Sequence, residues 1–270
     1  MFHTPTDLLR FEEQAVPETS VKDLNERLWR RLLGPLALNP VEALHKAKLL
    51  TRDGSGKEQA TVAGVLMASL DPHLWLPGAY IEAVRYRGTH PDSYLHPINA
   101  SRIEGPLDRQ IREGLAFIRS NMSTAAIKAP GRIEFPQFSL RAAFEAVANA
   151  VAHRDYSIHG SKIRILQFDD RCEIYSPGAL PNSLTIDSLP FRQSTRNELV
   201  TSLLARCPVE GAAADVVRRQ FLMEKRGDGV PVILRESLEL SGREPEYRLF
   251  DGEELLLTIW AAKPPDPDSV

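Results

Sequence analysis

Cysteine is scarce in this 270-residue chain: Cys172 and Cys207 are too few for a disulfide framework or a thiolate metal cluster. No apolar run approaches the roughly 20 residues that a membrane-spanning helix needs. The first residues, MFHTPTDLLRFEEQ, lack the basic-then-apolar order of a secretory signal, so no membrane partner is expected and the cytoplasm is the expected compartment. Positive charge is not in excess: 33 Lys and Arg stand against 36 Asp and Glu. Bulk charge therefore cannot hold nucleic acid, and only a local basic patch could. There is no internal repeat and no low-complexity block before the proline-rich tail, 263–270, which is expected to be disordered. Hydrophobic residues at 43% and charged residues at 26% fit a soluble globular protein of one large domain or two ordinary ones.

Several catalytic motifs are missing too. No P-loop pattern occurs, which removes Walker-type ATP binding, and no G-x-S-x-G elbow occurs. His153-Arg154-Asp155-Tyr156 invites comparison with a kinase catalytic loop, but the Asn required five positions after the Asp is Gly160. His153 and His159 have no cysteine or carboxylate companions at zinc-ligand spacing.

The stretch around which the chain is organised is 138–160, FSLRAAFEAVANAVAHRDYSIHG. Ser139 can cap a helix whose buried stripe is Leu140, Phe144, Val147 and Val151. Glu145, Asn149 and His153 recur every four residues and form a second, polar stripe. A solvated face is the plain reading of that stripe. The small residues beside it, Ala142, Ala143, Ala146, Ala148, Ala150 and Ala152, let another group approach closely and point instead to a site.

Upstream, the pattern predicts a helix over 21–33 with Leu24, Leu28, Trp29 and Leu32 inside and Arg27, Arg30 and Arg31 solvated. Asn39-Pro40 predicts a second helix to about Leu50, then a turn and a strand over 60–69; together these resemble a winged-helix fragment over 21–70. A strand over 80–86, a loop-rich stretch over 89–105 and a helix from Pro106 to Met122 follow, with Pro130-Gly131 as a domain boundary. Downstream the expectations are a hairpin turning at Asp169-Asp170, a stop at Ser176-Pro177-Gly178, and a helix over 196–206. Gly227 and Gly229 should precede another helix, and a last hairpin should turn at Asp251-Gly252.

An E-x-x-x-N helix, a strand ending in Ser-Pro-Gly and a later Gly-Asp-Gly before a helix can together handle a nucleotide. A carboxamide oxygen can bind a Mg²⁺ that bridges phosphates, and a Glu one turn earlier can polarise a water. Glycines before a helix bring backbone N–H groups to the phosphates.

These segments, 141–181 with 194–206 and 224–252, resemble the C-terminal domain of the RecG-related ATP-dependent helicase or transcriptional-regulator family. The resemblance is specific over 132–206 and 224–252 and fainter over 21–128. The resemblance implies a GHKL (Bergerat) α+β sandwich, with helices on one face of a mixed sheet. This domain would span 131–262, preceded by a smaller connecting αβ region over 1–130. It implies Glu145 as general base and Asn149 as Mg²⁺ ligand, with ATP as partner. His153, Ser176, Gly178, Gly227 and Gly229 would be further nucleotide-binding residues. Ser176 stands where such domains carry the Asp that recognises adenine, and 207–223 is extra sequence where the ATP lid would lie. Family members usually carry an N-terminal Schlafen/AlbA-type DNA-binding domain that nothing here matches, so any DNA contact is expected through a domain absent from this chain. A homodimer is a further expectation.

Two functions stay open on these grounds. One is a Mg²⁺-dependent ATP switch of a transcriptional regulator, with weak or no hydrolase activity. The other is a nucleotide-free regulatory or DNA-associated module that keeps only the fold. In the second, Glu145 and Asn149 would be a buried pair bracing the Ser176–Gly178 turn.

Overall fold

Asn25 accepts from the Leu28 N–H and so starts α1 (Glu26–Leu33), after a short 3-10 turn at Val21–Asp23. Leu24, Trp29 and Leu32 are buried as their spacing requires. Arg31 is not simply solvated, because it pairs with the fully buried Asp108 at 2.6 Å. Asn39 caps α2 (Pro40–Lys46), where proline occupies the first helical position. This helix stops short of Leu50: Lys48 takes a left-handed φ of 57°, and Leu50 opens a hairpin of β1 (Leu50–Arg52) and β2 (Glu58–Ala60). The chain is described here from a computed structural model, over residues 10–34, 39–91, 97–128, 132–181, 184–224 and 227–263.

The strand expected over 60–69 is a helix, α3 (Val62–Ala68). Every residue of it is buried, so the apolar run carries no period that could separate strand from helix. The deciding contacts are local and tertiary. Thr61 caps it by accepting from Gly64, and a Cβ on Gly64 would lie 2.2 Å from the Leu49 carbonyl oxygen.

β3 (Ile81–Arg85) forms as its alternation predicts. The loop-rich stretch after it contains an unexpected strand, β4 (Asn99–Ile103), paired antiparallel to β3. Asn, Ala, Ser and Arg have little strand preference; four of its five residues are exposed, and pairing with β3 makes it a strand. α4 (Leu107–Asn121) follows, and then a small antiparallel hairpin of β5 (Thr124–Lys128) and β6 (Arg132–Pro136). The Pro130-Gly131 boundary lies outside the described residues, as does the tail beyond 263.

Ser139 caps α5 (Leu140–His153), accepting from the Ala142 N–H. β7 (Ile163–Gln167) and β8 (Arg171–Pro177) make the expected hairpin, and α6 (Glu198–Leu204) and α7 (Gly229–Ser241) follow. β9 (Glu246–Phe250) and β10 (Glu254–Trp260) turn through Asp251 and Gly252, both at positive φ as a tight hairpin turn requires.

Six strands form one sheet in the order β4-β3-β7-β8-β10-β9, parallel only between β3 and β7. It takes β4 and β3 from before residue 130 and the rest from after it. One row of the sheet reads Ala83, Ile165, Ile174, Leu257 across four strands. These side chains are buried beneath α4, α5 and α7, which pack side by side on that face. Gly114 lets α4 sit close, since a Cβ there would be 2.9 Å from Val147 of α5. The other face carries polar pairs such as Arg164 with Glu254. The result is the expected α+β sandwich, with helices on one face of a mixed sheet. Burial of each large aliphatic in this row contributes about 1.5–3 kcal/mol.

Candidate functional site

α5 turns its apolar stripe to the sheet: Phe144, Val147 and Val151 are fully buried. Its polar stripe faces a cavity of about 770 Å³. Glu145, Asn149 and His153 all line this cavity, and so do Ser176, Gly178, Gly227 and Gly229. Seven residues chosen from three separate stretches are thus brought together. Ala146, Ala150, Ile174, Leu255, Leu257 and Ile233 supply apolar wall beside them.

One end is built by strand β8 and the close of α5. The Ser176 hydroxyl donates to the Ala150 carbonyl at 3.2 Å, and the Asp155 N–H donates to the Pro177 carbonyl at 2.8 Å. Gly178 is at φ 119°, and a Cβ there would stand 2.7 Å from that of Asp155. Asp155 in turn holds Arg196 at 2.5 Å. Burial raises the Asp155 pKa, but the Ser157 bonds and Arg196 outweigh it and hold the carboxyl below its ordinary range. Arg154 is buried and donates to the Ser161 carbonyl at 2.7 Å, and the Tyr156 hydroxyl donates to the Val151 carbonyl at 2.8 Å. Of the His-Arg-Asp-Tyr motif, therefore, only His153 faces the cavity. Its Nδ1 is 3.1 Å from the Thr195 hydroxyl. Burial, aided by Arg196, pushes the His153 pKa down to about 4, so the ring is neutral at pH 7.

The other end is built by the start of α7. Gly229 is its first residue, and a Cβ there would be 3.0 Å from Asn149 Nδ2 and 3.5 Å from Glu145 Oε2. Asp228 makes no side-chain cap, so the first-turn N–H groups have no side-chain acceptor from it. Gly227, at φ 67°, lies under Gln193: any Cβ would overlap that carboxamide. Glu145 is not paired with the Ser176–Gly178 turn. Its Oε1 is 2.9 Å from Nη1 of Arg219, and its Oε2 accepts from Nη2 at 3.4 Å. Burial raises the Glu145 pKa; Arg219 opposes this, and Asp228 adds to it.

Among the described residues no group of three or more His, Cys, Asp or Glu could hold a metal by itself. A Mg²⁺ that takes most of its oxygens from phosphates and water needs only one or two protein ligands. The Asn149 carboxamide, in the space left by Gly229, fits that demand.

Residues 160–259 match the family described as "Putative ATP-dependent DNA helicase recG C-terminal". Over this segment the chain resembles that family. The matched segment contains Ser176, Gly178, Gly227 and Gly229, whereas Glu145, Asn149 and His153 precede it. No curated protein matches the chain. Among solved structures it is similar to the DIP2311 protein from Corynebacterium diphtheriae, with a TM-score of 0.62 and 19% identity. That likeness, which is of fold, covers 94% of this chain and 48% of the other, so the chain spans about half the length of that protein.

Two residues of the site carried no motif. Arg219 comes from the extra 207–223 stretch of the matched segment, and Gln193 from the polar loop before α6. The only sequence signal for Arg219 is the Arg218-Arg219 pair in a stretch with few other charges. Gln193 left none.

Proposed function

We propose that this cavity binds a nucleoside triphosphate, ATP by family resemblance, with Mg²⁺, and serves as a switch with slow or no hydrolysis. One observation carries the reading. A carboxylate, a carboxamide and the start of a 13-residue helix converge at one end of a cavity of about 770 Å³, part of whose wall is an apolar patch of Ala146, Ala150, Ile174, Leu255 and Leu257. An apolar slot suits a base, and a polar end with backbone N–H groups suits phosphates.

In this reading Asn149 would hold the Mg²⁺, which when bound supplies charge neutralisation for the phosphate oxygens. Glu145 would accept a proton from the attacking water as its oxygen bonds to the terminal phosphorus and the diphosphate leaves. Its raised pKa makes it a stronger proton acceptor than an exposed Glu. Ser176, whose hydroxyl proton is taken by Ala150, still has lone pairs to accept from an exocyclic amine. A role in transcription, contact with DNA through a further domain, and dimerisation belong to the same proposal by family resemblance alone.

The nucleotide-free module is the second reading, and the serine in place of an adenine-reading aspartate favours it. Titration calorimetry with a non-hydrolysable ATP analogue, with and without Mg²⁺, separates the two. Metal-dependent binding near micromolar, about −8 kcal/mol, supports the first. No heat and no thermal shift at millimolar nucleotide leaves the second.

A further inference from the structure

Arg219 has three features that a solvated loop arginine lacks. Its side chain is only 10% exposed, it lines the cavity, and it forks onto a carboxylate that is itself 7% exposed. Its guanidinium also lies over the Phe144 ring at 4.8 Å, and Nη2 donates to the Leu222 carbonyl at 2.6 Å. Among the described residues Nε is buried with no partner.

The loop that delivers it is fixed. Pro208 bridges to Phe221, the Leu222 N–H donates to the Cys207 carbonyl at 2.9 Å, and Ala213, Val217 and Leu222 are buried. Arg219 therefore stands preorganised against Glu145, the carboxylate that with Asn149 faces the first residue of α7. A guanidinium fork matches a phosphate as well as it matches a carboxylate, and a phosphate brings more charge.

Resting on the nucleotide reading above, we infer that Arg219 determines specificity by reading the terminal phosphate of a nucleoside triphosphate. The guanidinium exchanges the Glu145 carboxylate for that phosphate. The exchange frees Glu145 only when the ligand is a triphosphate. A diphosphate would leave the Arg219–Glu145 pair in place.

The test is calorimetry on the full chain with Mg²⁺ and either a non-hydrolysable ATP analogue or ADP. The proteins compared are the parent, Glu145→Gln, Glu145→Gln/Arg219→Gln and Arg219→Lys. Removing both charges together avoids leaving one buried and unpaired. The parent should prefer the triphosphate at least tenfold. Glu145→Gln should enlarge that preference threefold or more, because the fork no longer has a competing carboxylate. The double variant should bind both ligands within twofold of each other. Arg219→Lys keeps the charge without the fork and should lose most of the preference, which decides the question if the double variant does not fold. Parent-like preference in the double variant and in Arg219→Lys, or equal weakening toward both ligands, would make Arg219 a structural counter-ion and overturn the inference alone. A parent that binds neither ligand overturns the nucleotide reading and this inference with it.

Discussion

The hydrogen that Gly229 carries in place of a side chain leaves Asn149 room to face the cavity: a Cβ would stand 3.0 Å from its carboxamide nitrogen. Asn149 also lies one helical turn from Glu145, so α5 and α7 together hold a carboxamide and a carboxylate against the start of a helix.

Replacing Asn149 by Ala is expected to weaken Mg²⁺-dependent nucleotide binding at least about 100-fold, or 2.7 kcal/mol. Asn149 is half-buried at the cavity edge, so the thermal melt should be unchanged. Calorimetry with and without Mg²⁺ checks this, and parent-like affinity in the variant would remove the metal role.

Glu145→Gln is expected to keep nucleotide binding and lower any turnover by about 10²–10⁴, the range for loss of a general base. Release of inorganic phosphate under single-turnover conditions is the measurement. Equal rates in parent and variant would dismiss Glu145 as the base.

Gly178→Ala should destabilise the protein by about 1–3 kcal/mol, because φ 119° strains any side chain and its Cβ would press on Asp155. In a chain of this size that lowers Tm by about 2–4 °C per kcal/mol. Gly54→Ala, where a Cβ meets nothing within 4 Å, should leave Tm unchanged. Calorimetric melts of the two variants together test the packing of the Ser176–Gly178 turn.

His153 should stay neutral through pH 5 and titrate only near pH 4. Its folded pKa lies below the ordinary value of 6.5, so the unfolded chain takes up its proton first. Its share of stability is therefore complete above about pH 6.5 and is lost as pH falls toward 4. Imidazole chemical shifts followed against pH, with His153→Gln to assign the signal, provide the check. A midpoint near 6.5 would mean that the ring is solvated.

Local chemistry was legible from the residues themselves. Asn39-Pro40, Ser139 and Asp251-Gly252 declare a cap, a cap and a turn, because each acts within a few residues of itself. The polar stripe of α5 was equally plain, since its spacing is that of one helix face. The 60–69 segment was not: a helix buried all round loses the period that would reveal it. β4 was hidden for a related reason, since its strand character comes from β3 and not from its own side chains.

The sequence by itself determined which residues could do chemistry: a carboxylate and carboxamide at helical spacing, glycines before a helix, and neither P-loop nor thiolate cluster. Tertiary structure alone decided what each one faces. Arg219 is 74 residues from Glu145 along the chain, and its pairing depends on a loop packed by Ala213, Val217 and Leu222. Gln193 reaches Gly227 by the same kind of long-range packing. No local period encodes such contacts, because side chains from separate elements meet only after the sheet and its helices have buried their apolar faces.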